Sequence, residues 1–217
     1  MNPQALFFDF DGVLVESVAI KTEAFTELFA PEGEEVVRRV RAHHLDHGGM
    51  SRYEKFRFYY REFLHRDLDQ ETLEALSRRF TQLVVDKVVA APAVPGAAEF
   101  LQKHHTSIPC FIVSGTPEKE IRLIVERRGW SSWFREVTGS PASKSDNCRR
   151  LLQTYDLEPR RCVFVGDALS DLRAAEETNM HFAGRRTPEN RALFADRDIH
   201  LIDDLSDLER LLGEITP

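Results

Sequence analysis

Residues 5–13 of the sequence read ALFFDFDGV, and this stretch decides the fold. Its first four residues form an apolar run of the kind typical of a parallel strand buried on both faces. Asp9 and Asp11 follow, and residues two apart in an extended chain lie on the same side. Two such carboxylates can converge on one hard cation, and Gly12 permits a tight turn after them. The stretch predicts a buried strand that ends in paired acids, although the DFDG tetrapeptide alone is equally typical of a solvated turn.

Similar apolar runs recur downstream, with helix-like stretches between several of them. The runs cover residues 108–113, 161–165, 180–183 and 198–202. The stretches 118–128 and 147–155 place their apolar side chains at helical spacing. Alternating strands and helices predict an α/β fold, in which helices cover both faces of a parallel sheet through right-handed crossovers.

The segment 16–90 breaks this alternation. It holds several amphipathic helical patterns and no convincing strand, so it predicts an all-helical insertion. Residues 91–96, APAVPG, mark its end because their prolines cannot continue a helix. We therefore predict an α/β core domain formed by residues 1–15 and 91–217, and a small helical domain formed by residues 16–90.

Composition excludes several classes of protein. With 217 residues, 42% hydrophobic and 30% charged, the chain has the composition of a soluble globular protein. The net charge of -7 argues against nucleic acid or anionic lipid as the main partner. Three cysteines without paired spacing suggest neither a disulfide framework nor a zinc ribbon. Because the N-terminus also lacks the pattern of a signal peptide or membrane span, we expect a cytoplasmic protein.

Two further motifs follow apolar strands or precede helices. Ser114-Gly115-Thr116 lies between a predicted strand and a helix that Pro117 would begin well at its first position. A hydroxyl and free backbone amides at such a place can cradle a phosphate, although for this motif alone an ordinary helix cap by Thr116 is the commoner role. Lys144, in a polar stretch before the next helix, offers a positive charge to a phosphoryl oxygen, or is simply solvated.

The last motif, GDALSD at residues 166–171, follows the apolar run 161–165. Asp167 stands at the tip of the predicted strand, and Asp171 follows four residues later, about one helical turn away. Asp167 can complete a metal site while Asp171 hydrogen bonds within the same cluster. Alone, the motif is also a plausible helix entry with Asp167 as its cap.

Together and in this order, the four motifs resemble those of the haloacid dehalogenase-like superfamily, and the resemblance covers the whole chain. It implies a Rossmann-like, doubly wound parallel sheet with a small all-helical cap inserted after the first motif, as in phosphoglycolate phosphatases and β-phosphoglucomutases. It also implies a phosphatase that uses Mg²⁺ and acts on a small phosphorylated metabolite, either a sugar phosphate or a phosphorylated short acid. We expect a monomer or a homodimer, between which the resemblance does not choose.

The resemblance assigns a role to each motif residue. It makes Asp9 the nucleophile and Asp11 the general acid and base. It assigns phosphoryl binding to Ser114, Gly115, Thr116 and Lys144. Mg²⁺ would be held by Asp9, the Asp11 carbonyl and Asp167, with Asp171 touching the metal directly or through water.

Alternatives within this fold differ at single residues. Dehalogenases that resemble this chain usually lack an acid where Asp11 stands, because an alkyl halide needs no protonated leaving group. Phosphosugar mutases usually carry a histidine where Lys21 stands. A module that binds a phosphorylated ligand without turnover should have lost a catalytic acid, and here Asp9, Asp11, Lys144 and Asp167 are present. The pattern therefore favours a phosphatase and leaves the mutase as its main rival.

Substrate choice should depend on the helical insertion, where residues 43–52 read HHLDHGGMSR. The GMSR portion, residues 49–52, resembles a loop in related phosphosugar enzymes whose arginine meets an anionic group of the substrate, which implies a substrate role for Arg52. Alternatively, Ser51 and Glu54 form a helix capping box and Arg52 is exposed, and both interpretations can hold. His43 and His47 have a metal-ligand spacing, but no matching acid or cysteine cluster accompanies them.

Overall fold

The computed structural model describes residues 3–195 and 197–215. Its strands are β1 (Ala5–Phe8), β2 (Cys110–Pro117), β3 (Glu136–Ser140), β4 (Cys162–Gly166), β5 (His181–Arg185) and β6 (His200–Ile202). They form a six-stranded sheet in the order β3-β2-β1-β4-β5-β6. Every neighbouring pair is parallel, as short apolar runs separated by helices require.

Helices surround this sheet and also form the insertion after β1. They are α1 (Val18–Phe29), α2 (Glu34–Asp46), α3 (Arg52–Phe58), α4 (Gln70–Ala90), α5 (Ala97–His104), α6 (Glu118–Arg127), α7 (Lys144–Thr154), α8 (Leu169–Thr178) and α9 (Leu208–Ile215). A π-helical turn, Tyr59–Leu64, directly follows α3. We refer to α1–α4 with this turn as the cap, and to the sheet with α5–α9 as the core.

Both faces of the sheet are buried. Leu6 and Phe8 of β1 pack into one apolar cluster, and Ala5 and Phe7 pack into a second. This alternation follows from the two-residue period of a strand, which sends successive side chains to opposite faces. The predicted fold class, a Rossmann-like doubly wound parallel sheet with an inserted helical cap, is confirmed.

The strand order reverses at β1, which lies between β2 and β4. The chain passes from β1 to β2 and β3 on one side, and then returns to place β4, β5 and β6 on the other. In open α/β sheets, ligands bind in the crevice at the carboxyl ends of the strands where the order reverses. The topology therefore directs attention to the residues that follow β1, β2 and β4.

Aromatic side chains fill the interior of the cap. The ring centroid of Phe25 lies 4.5 Å from that of Phe80, 5.6 Å from that of Phe56 and 5.9 Å from that of Tyr59. All four residues are buried, so the aromatic residues at helical spacing serve mainly to pack the cap together. The domain boundaries at residues 15/16 and 90/91 stay a prediction.

Two details differ from the sequence-based expectation. The apolar runs did not predict β3, whose sequence EVTGS contains one large apolar residue. Pro117 does not begin a helix, because it is the last residue of β2 and α6 begins at Glu118. None of the helices within the described residues is long and apolar enough to cross a lipid bilayer.

Candidate active site

The predicted site residues lie at the carboxyl ends of three adjacent strands. Asp9 follows β1 directly, Ser114 lies in the last part of β2, and Asp167 follows β4. Because β1 pairs with both other strands, the three motifs meet at the same edge of the sheet. Lys144 reaches this edge as the first residue of α7.

Lys144 joins two of the aspartates. Its Nζ lies 2.8 Å from Oδ2 of Asp9 and 2.5 Å from Oδ1 of Asp171, and all three side chains are buried. Burial alone would lower the pKa of Lys144, but the neighbouring carboxylates raise it above the ordinary value. Lys144 is therefore a fixed cation at the end of β1 and is not the solvated lysine of the alternative interpretation.

Asp171 also shapes the loop that carries Asp167. Its Oδ2 accepts hydrogen bonds from the backbone amides of Asp167, at 3.1 Å, and of Ala168, at 3.0 Å. A Cβ placed on Gly166 would lie 2.6 Å from Cγ of Asp171, closer than atoms can approach, so this position requires glycine. Asp171 therefore fixes the backbone at the end of β4 in addition to pairing with Lys144.

Asp9, Asp167 and Asp171 form an acidic cluster in which each residue offers an oxygen within 4.8 Å of the other two. Burial raises the pKa of Asp9 to about 7, against the opposing charge of Lys144. Burial and then the charge of Asp9 raise the pKa of Asp167 well above its ordinary value. Crowded, buried carboxylates of this kind suit a hard divalent cation, because oxygen ligands and negative charge are what such a cation needs. Asp171 is already engaged by Lys144 and two amides, so Asp9 and Asp167 are the better ligands.

The carboxylate of Asp11 lies outside that cluster and is held by a separate set of donors. Ser17 Oγ donates to Oδ1 at 2.6 Å, Thr116 Oγ1 donates to Oδ2 at 3.1 Å, and Lys21 forms an ion pair with Oδ2. Burial would raise the pKa of Asp11, but the charge of Lys21 and these hydrogen bonds hold it below the ordinary value. Lys21 Nζ also donates to Thr116 Oγ1 at 2.6 Å, so cap and core residues together orient Asp11.

The Ser114-Gly115-Thr116 motif lies in the last part of β2, beneath the cap, where the register with β3 shifts between Val113 and Pro117. Ser114 is buried, and its Oγ accepts a hydrogen bond from the Thr116 amide at 3.1 Å. A Cβ placed on Gly115 would lie 3.1 Å from the carbonyl carbon of Gly49, in the cap loop between α2 and α3. Gly115 therefore allows the cap loop to approach the end of β2.

The same cap loop extends over the acidic cluster. The carbonyl of Gly48 accepts a hydrogen bond from Ser170 Oγ at 3.2 Å, and a Cβ on Gly49 would lie 3.0 Å from Lys144 Nζ. Both contacts join the cap to core residues next to the acids. The cap loop therefore covers the cap-facing side of Lys144 and Ser170, next to the acidic cluster.

Arg52 lies at the start of α3 and is buried, which contradicts the alternative that it is exposed. The predicted capping box is confirmed, because Ser51 Oγ accepts from the Glu54 amide and the Glu54 side chain accepts from the Ser51 amide. The Arg52 guanidinium pairs with Glu120 of α6, with Nη1 2.9 Å from Oε2. Thr81 Oγ1 donates to the same Oε2 at 2.5 Å. The arginine thus joins the cap to the core while it also lines the cavity described next.

A cavity of about 450 Å³ lies between cap and core. Asp9, Asp11 and Asp167 line its core side, and Lys21 and Lys55 line its cap side. This volume suits a small metabolite. The cavity brings together the predicted acids and cap residues that the sequence motifs did not single out.

The histidine pair of α2 is an aromatic stack. The rings of His43 and His47 lie 4.0 Å apart at 8°, and the ring of His43 also stacks on Phe58 at 4.1 Å. Burial lowers the pKa of His43 to about 4. Within the described residues, the metal-type cluster consists of Asp9, Asp167 and Asp171 and contains neither histidine, so a second metal site at this pair finds no support.

Several residues of the site had no motif to identify them. Ser17 donates a hydrogen bond to Asp11, and Asn190 Nδ2 donates to the carbonyl of Asp167 at 2.8 Å. Lys55 lies within the cap, where its Nζ is 2.8 Å from Nδ1 of His44. Their roles depend on contacts between distant parts of the chain, and an amphipathic helix pattern does not distinguish a buried lysine from an exposed one.

Comparison with known proteins places this geometry in context. A family model described as haloacid dehalogenase-like hydrolase matches residues 3–178. Phosphoglycolate phosphatase 1 of Pseudomonas aeruginosa is 25% identical over 219 residues, covering 95% of this chain and 78% of its own.

Two solved structures share the fold. CbbY from Rhodobacter sphaeroides, in a complex with xylulose-(1,5)bisphosphate, has a TM-score of 0.75 and 23% identity, covering 95% of this chain and 96% of its own. β-Phosphoglucomutase from Clostridium difficile has a TM-score of 0.78 and 18% identity, covering 98% of this chain and 97% of its own. Each is a protein to which this chain is similar.

Proposed function

This chain belongs to the haloacid dehalogenase-like hydrolase family, and from that premise we propose that it is a Mg²⁺-dependent phosphatase that forms a phosphoenzyme on Asp9. The observation that carries the proposal is the position of Asp9. Its carboxylate is buried, contacts Lys144, belongs to the acidic cluster with Asp167 and Asp171 and lines the cavity between cap and core. A nucleophile for phosphoryl transfer needs such surroundings, because it must attack an anion in line while positive charge neutralises the phosphoryl oxygens.

Asp9 and Asp167, with the carbonyl of Asp11, would hold the Mg²⁺. When bound, the ion supplies positive charge that shields the approach of the Asp9 carboxylate to the phosphoryl group. Lys144 supplies the second positive charge, and the Ser114-Gly115-Thr116 segment at the end of β2 provides a hydroxyl and backbone amides for the remaining oxygens. Asp171 holds both Lys144 and the loop of Asp167 in position.

In the first step, a carboxylate oxygen of Asp9 forms a bond to phosphorus while the bond from phosphorus to the ester oxygen breaks. The leaving oxygen takes a proton from the Asp11 carboxyl. In the second step, water attacks the phosphorus of the aspartyl phosphate, Asp11 takes the proton of that water, and the bond to Asp9 breaks. Asp11 is thereby protonated again for the next cycle.

The contacts of Asp11 favour the second step of this exchange. Lys21 and two hydroxyl donors stabilise its ionised form, which is the form that accepts the proton of water in the second step. Ser17 directly precedes α1, and Lys21 lies in α1, the first helix of the cap. The position of the acid–base group Asp11 therefore depends on the position of the cap. Lys21 is also the residue that distinguishes this chain from the mutases that it resembles.

The substrate is proposed to be a small phosphorylated metabolite. The cavity has room for a sugar phosphate or a phosphorylated short acid, and the Pseudomonas aeruginosa relative is named as a phosphoglycolate phosphatase. Arg52 lines the cavity and is proposed to contact the part of the substrate distant from the phosphate. Glu120 competes for its guanidinium, so Arg52 contributes to cap closure as well.

Phosphate release from a panel of phosphorylated acids and sugars, with and without Mg²⁺, tests the proposal. We expect metal-dependent release by the wild type and none by Asp9→Asn. Equal release by both proteins would overturn the role of Asp9. Conversion of one sugar phosphate into its isomer without net release would instead identify a mutase.

A further inference from the structure

Among the buried and half-buried cations that line the cavity, Lys55 differs in having no carboxylate partner within the residues that the structure describes. Lys21 pairs with Asp11, Arg52 with Glu120, and Arg185 with Glu16. Arg41 also lines the cavity, but its side chain is exposed to water. Lys55 is buried, and in the part of the chain that the structure describes its Nζ meets only Nδ1 of His44 at 2.8 Å and the His44 carbonyl at 3.3 Å.

The surroundings of Lys55 are unfavourable for a lone ammonium group. The side chain is 2% exposed, and its Nζ lies 5.5 Å from the centroid of the Phe25 ring. Burial, followed by the charges of Lys21 and Lys144, lowers the pKa of Lys55 to about 7. A buried ammonium gains stability when an anion approaches it, since the anion replaces the water that burial has removed.

We propose that Lys55 binds a carboxylate on the substrate, at the end distant from the phosphoryl group. This deepens the proposed function and rests on it, because it concerns the substrate of the same cavity. Lys55 belongs to the cap side of the cavity, opposite Asp9 on the core side. One buried, uncompensated cation matches one negative charge, which favours a carboxylate over a second, doubly charged phosphate.

His44 holds the amine in place for this role. Its Nδ1 accepts a hydrogen bond from Lys55 Nζ, so the ring is neutral, and burial lowers the pKa of His44 well below the ordinary value. The ring of His44 also packs against Phe25 of α1, with the ring centroids 4.8 Å apart. An ammonium group has three protons, and the two contacts with His44 leave one for a ligand in the cavity.

The test compares two esters that differ at one end, 2-phosphoglycolate and 2-hydroxyethyl phosphate, whose hydroxymethyl group replaces the carboxylate. Binding of each ester is measured by calorimetry in the Asp9→Asn background, so that no turnover is needed. Lys55→Gln removes the charge and keeps a donor for His44. Lys55→Met is the second variant, and Lys87→Met is the control because Lys87 is an exposed lysine of the same cap.

We expect Lys55→Gln to weaken binding of 2-phosphoglycolate by roughly 10- to 100-fold, the range for one charge-assisted hydrogen bond. Binding of 2-hydroxyethyl phosphate should change by about threefold or less, as should both esters with Lys87→Met. An equal loss for both esters, or no loss for either, would overturn the proposal. If Lys55→Gln does not fold, the same contrast is read from Lys55→Met.

The two proposals fail differently. If the wild type releases no phosphate from either ester while Lys55→Gln still weakens binding of the carboxylate ester alone, the proposed phosphatase function fails and the carboxylate site stands. If both esters are hydrolysed equally well by the wild type and by Lys55→Gln, the phosphatase stands and the carboxylate site fails.

Discussion

The buried ion pair between Arg52 and Glu120 leads to a quantitative prediction about cap closure. The pair joins α3 of the cap to α6 of the core, and its side chains are 3% and 5% exposed. Glu120→Gln keeps the shape of the side chain and its contact with Thr81, but removes the charge that compensates Arg52. The guanidinium is then left buried without a counter-ion.

The size of the effect follows from this burial. Removing one partner of a buried pair costs about 3–5 kcal/mol, because the remaining charge has lost both its partner and its water. The Phe80 ring, 4.4 Å from Cζ of Arg52, offsets about 1 kcal/mol of this cost through a cation–π contact. We therefore expect Glu120→Gln to lower the free energy of unfolding by about 3 kcal/mol.

Urea unfolding, followed by circular dichroism, measures this loss. Arg127 of α6 and Asp86 of α4 provide a matched control, because they form a second ion pair between cap and core, with an Nη1–Oδ1 distance of 2.6 Å. Their side chains, however, are 43% and 84% exposed. Asp86→Asn should cost less than about 1 kcal/mol, as is usual for an exposed pair. Adding Arg52→Met to Glu120→Gln should recover about 2 kcal/mol, since the double variant leaves no buried charge.

Equal losses in Glu120→Gln and Asp86→Asn would refute the reasoning. Water would then reach the Arg52–Glu120 pair in the free enzyme, and the cap would not rest closed on the core.

Three further predictions concern the cap and its contact with the core. Phe25→Ala should lower the free energy of unfolding by about 3–5 kcal/mol, because it leaves a cavity among the rings of the cap, and urea unfolding measures the loss. His43→Phe should make the free energy of unfolding less sensitive to acid. Folding lowers the pKa of His43 from 6.5 to about 4. In the window between these two pH values the unfolded chain binds one more proton than the folded chain, so the stability of the wild type decreases as the pH is lowered. Denaturation midpoints at the two ends of the window test this, and an equal fall in the variant would contradict it. Gly115→Ala should lower kcat/KM by roughly 10- to 100-fold, because its Cβ displaces the cap loop at Gly49. Steady-state kinetics measure this loss, and thermal unfolding checks that the variant is folded. An unchanged kcat/KM in a folded variant would contradict the prediction.

Much of the core could be predicted from local sequence. Apolar runs identified the strands that carry Asp9, Ser114 and Asp167, since a strand buried on both faces needs consecutive apolar residues. β3 was not predicted because its sequence, EVTGS, contains one large apolar residue. Its buried Thr138 satisfies its hydroxyl by donating to the Ile112 carbonyl at 2.9 Å. No local pattern announces a hydroxyl that is buried in this way.

The cap residues of the site could not be predicted from local sequence. Arg52 and Glu120 are 68 positions apart, and nothing near either residue indicates the other. Lys55 lies in a charged stretch that is typical of a solvated helix face, and its burial follows from how α3 packs against α1 and α2. Long-range packing therefore decides which cap residues face the substrate.

The most direct test of the central claim is the covalent state of Asp9 during turnover. The enzyme is mixed with Mg²⁺ and the best substrate of the panel, quenched in acid within one turnover and digested, and the peptide that contains Asp9 is weighed by mass spectrometry. We expect a peptide heavier by one phosphoryl group, which is absent in Asp9→Asn and is lost as the turnover finishes. Rapid hydrolysis of the substrate with no phosphoryl group on that peptide at any quench time would contradict it.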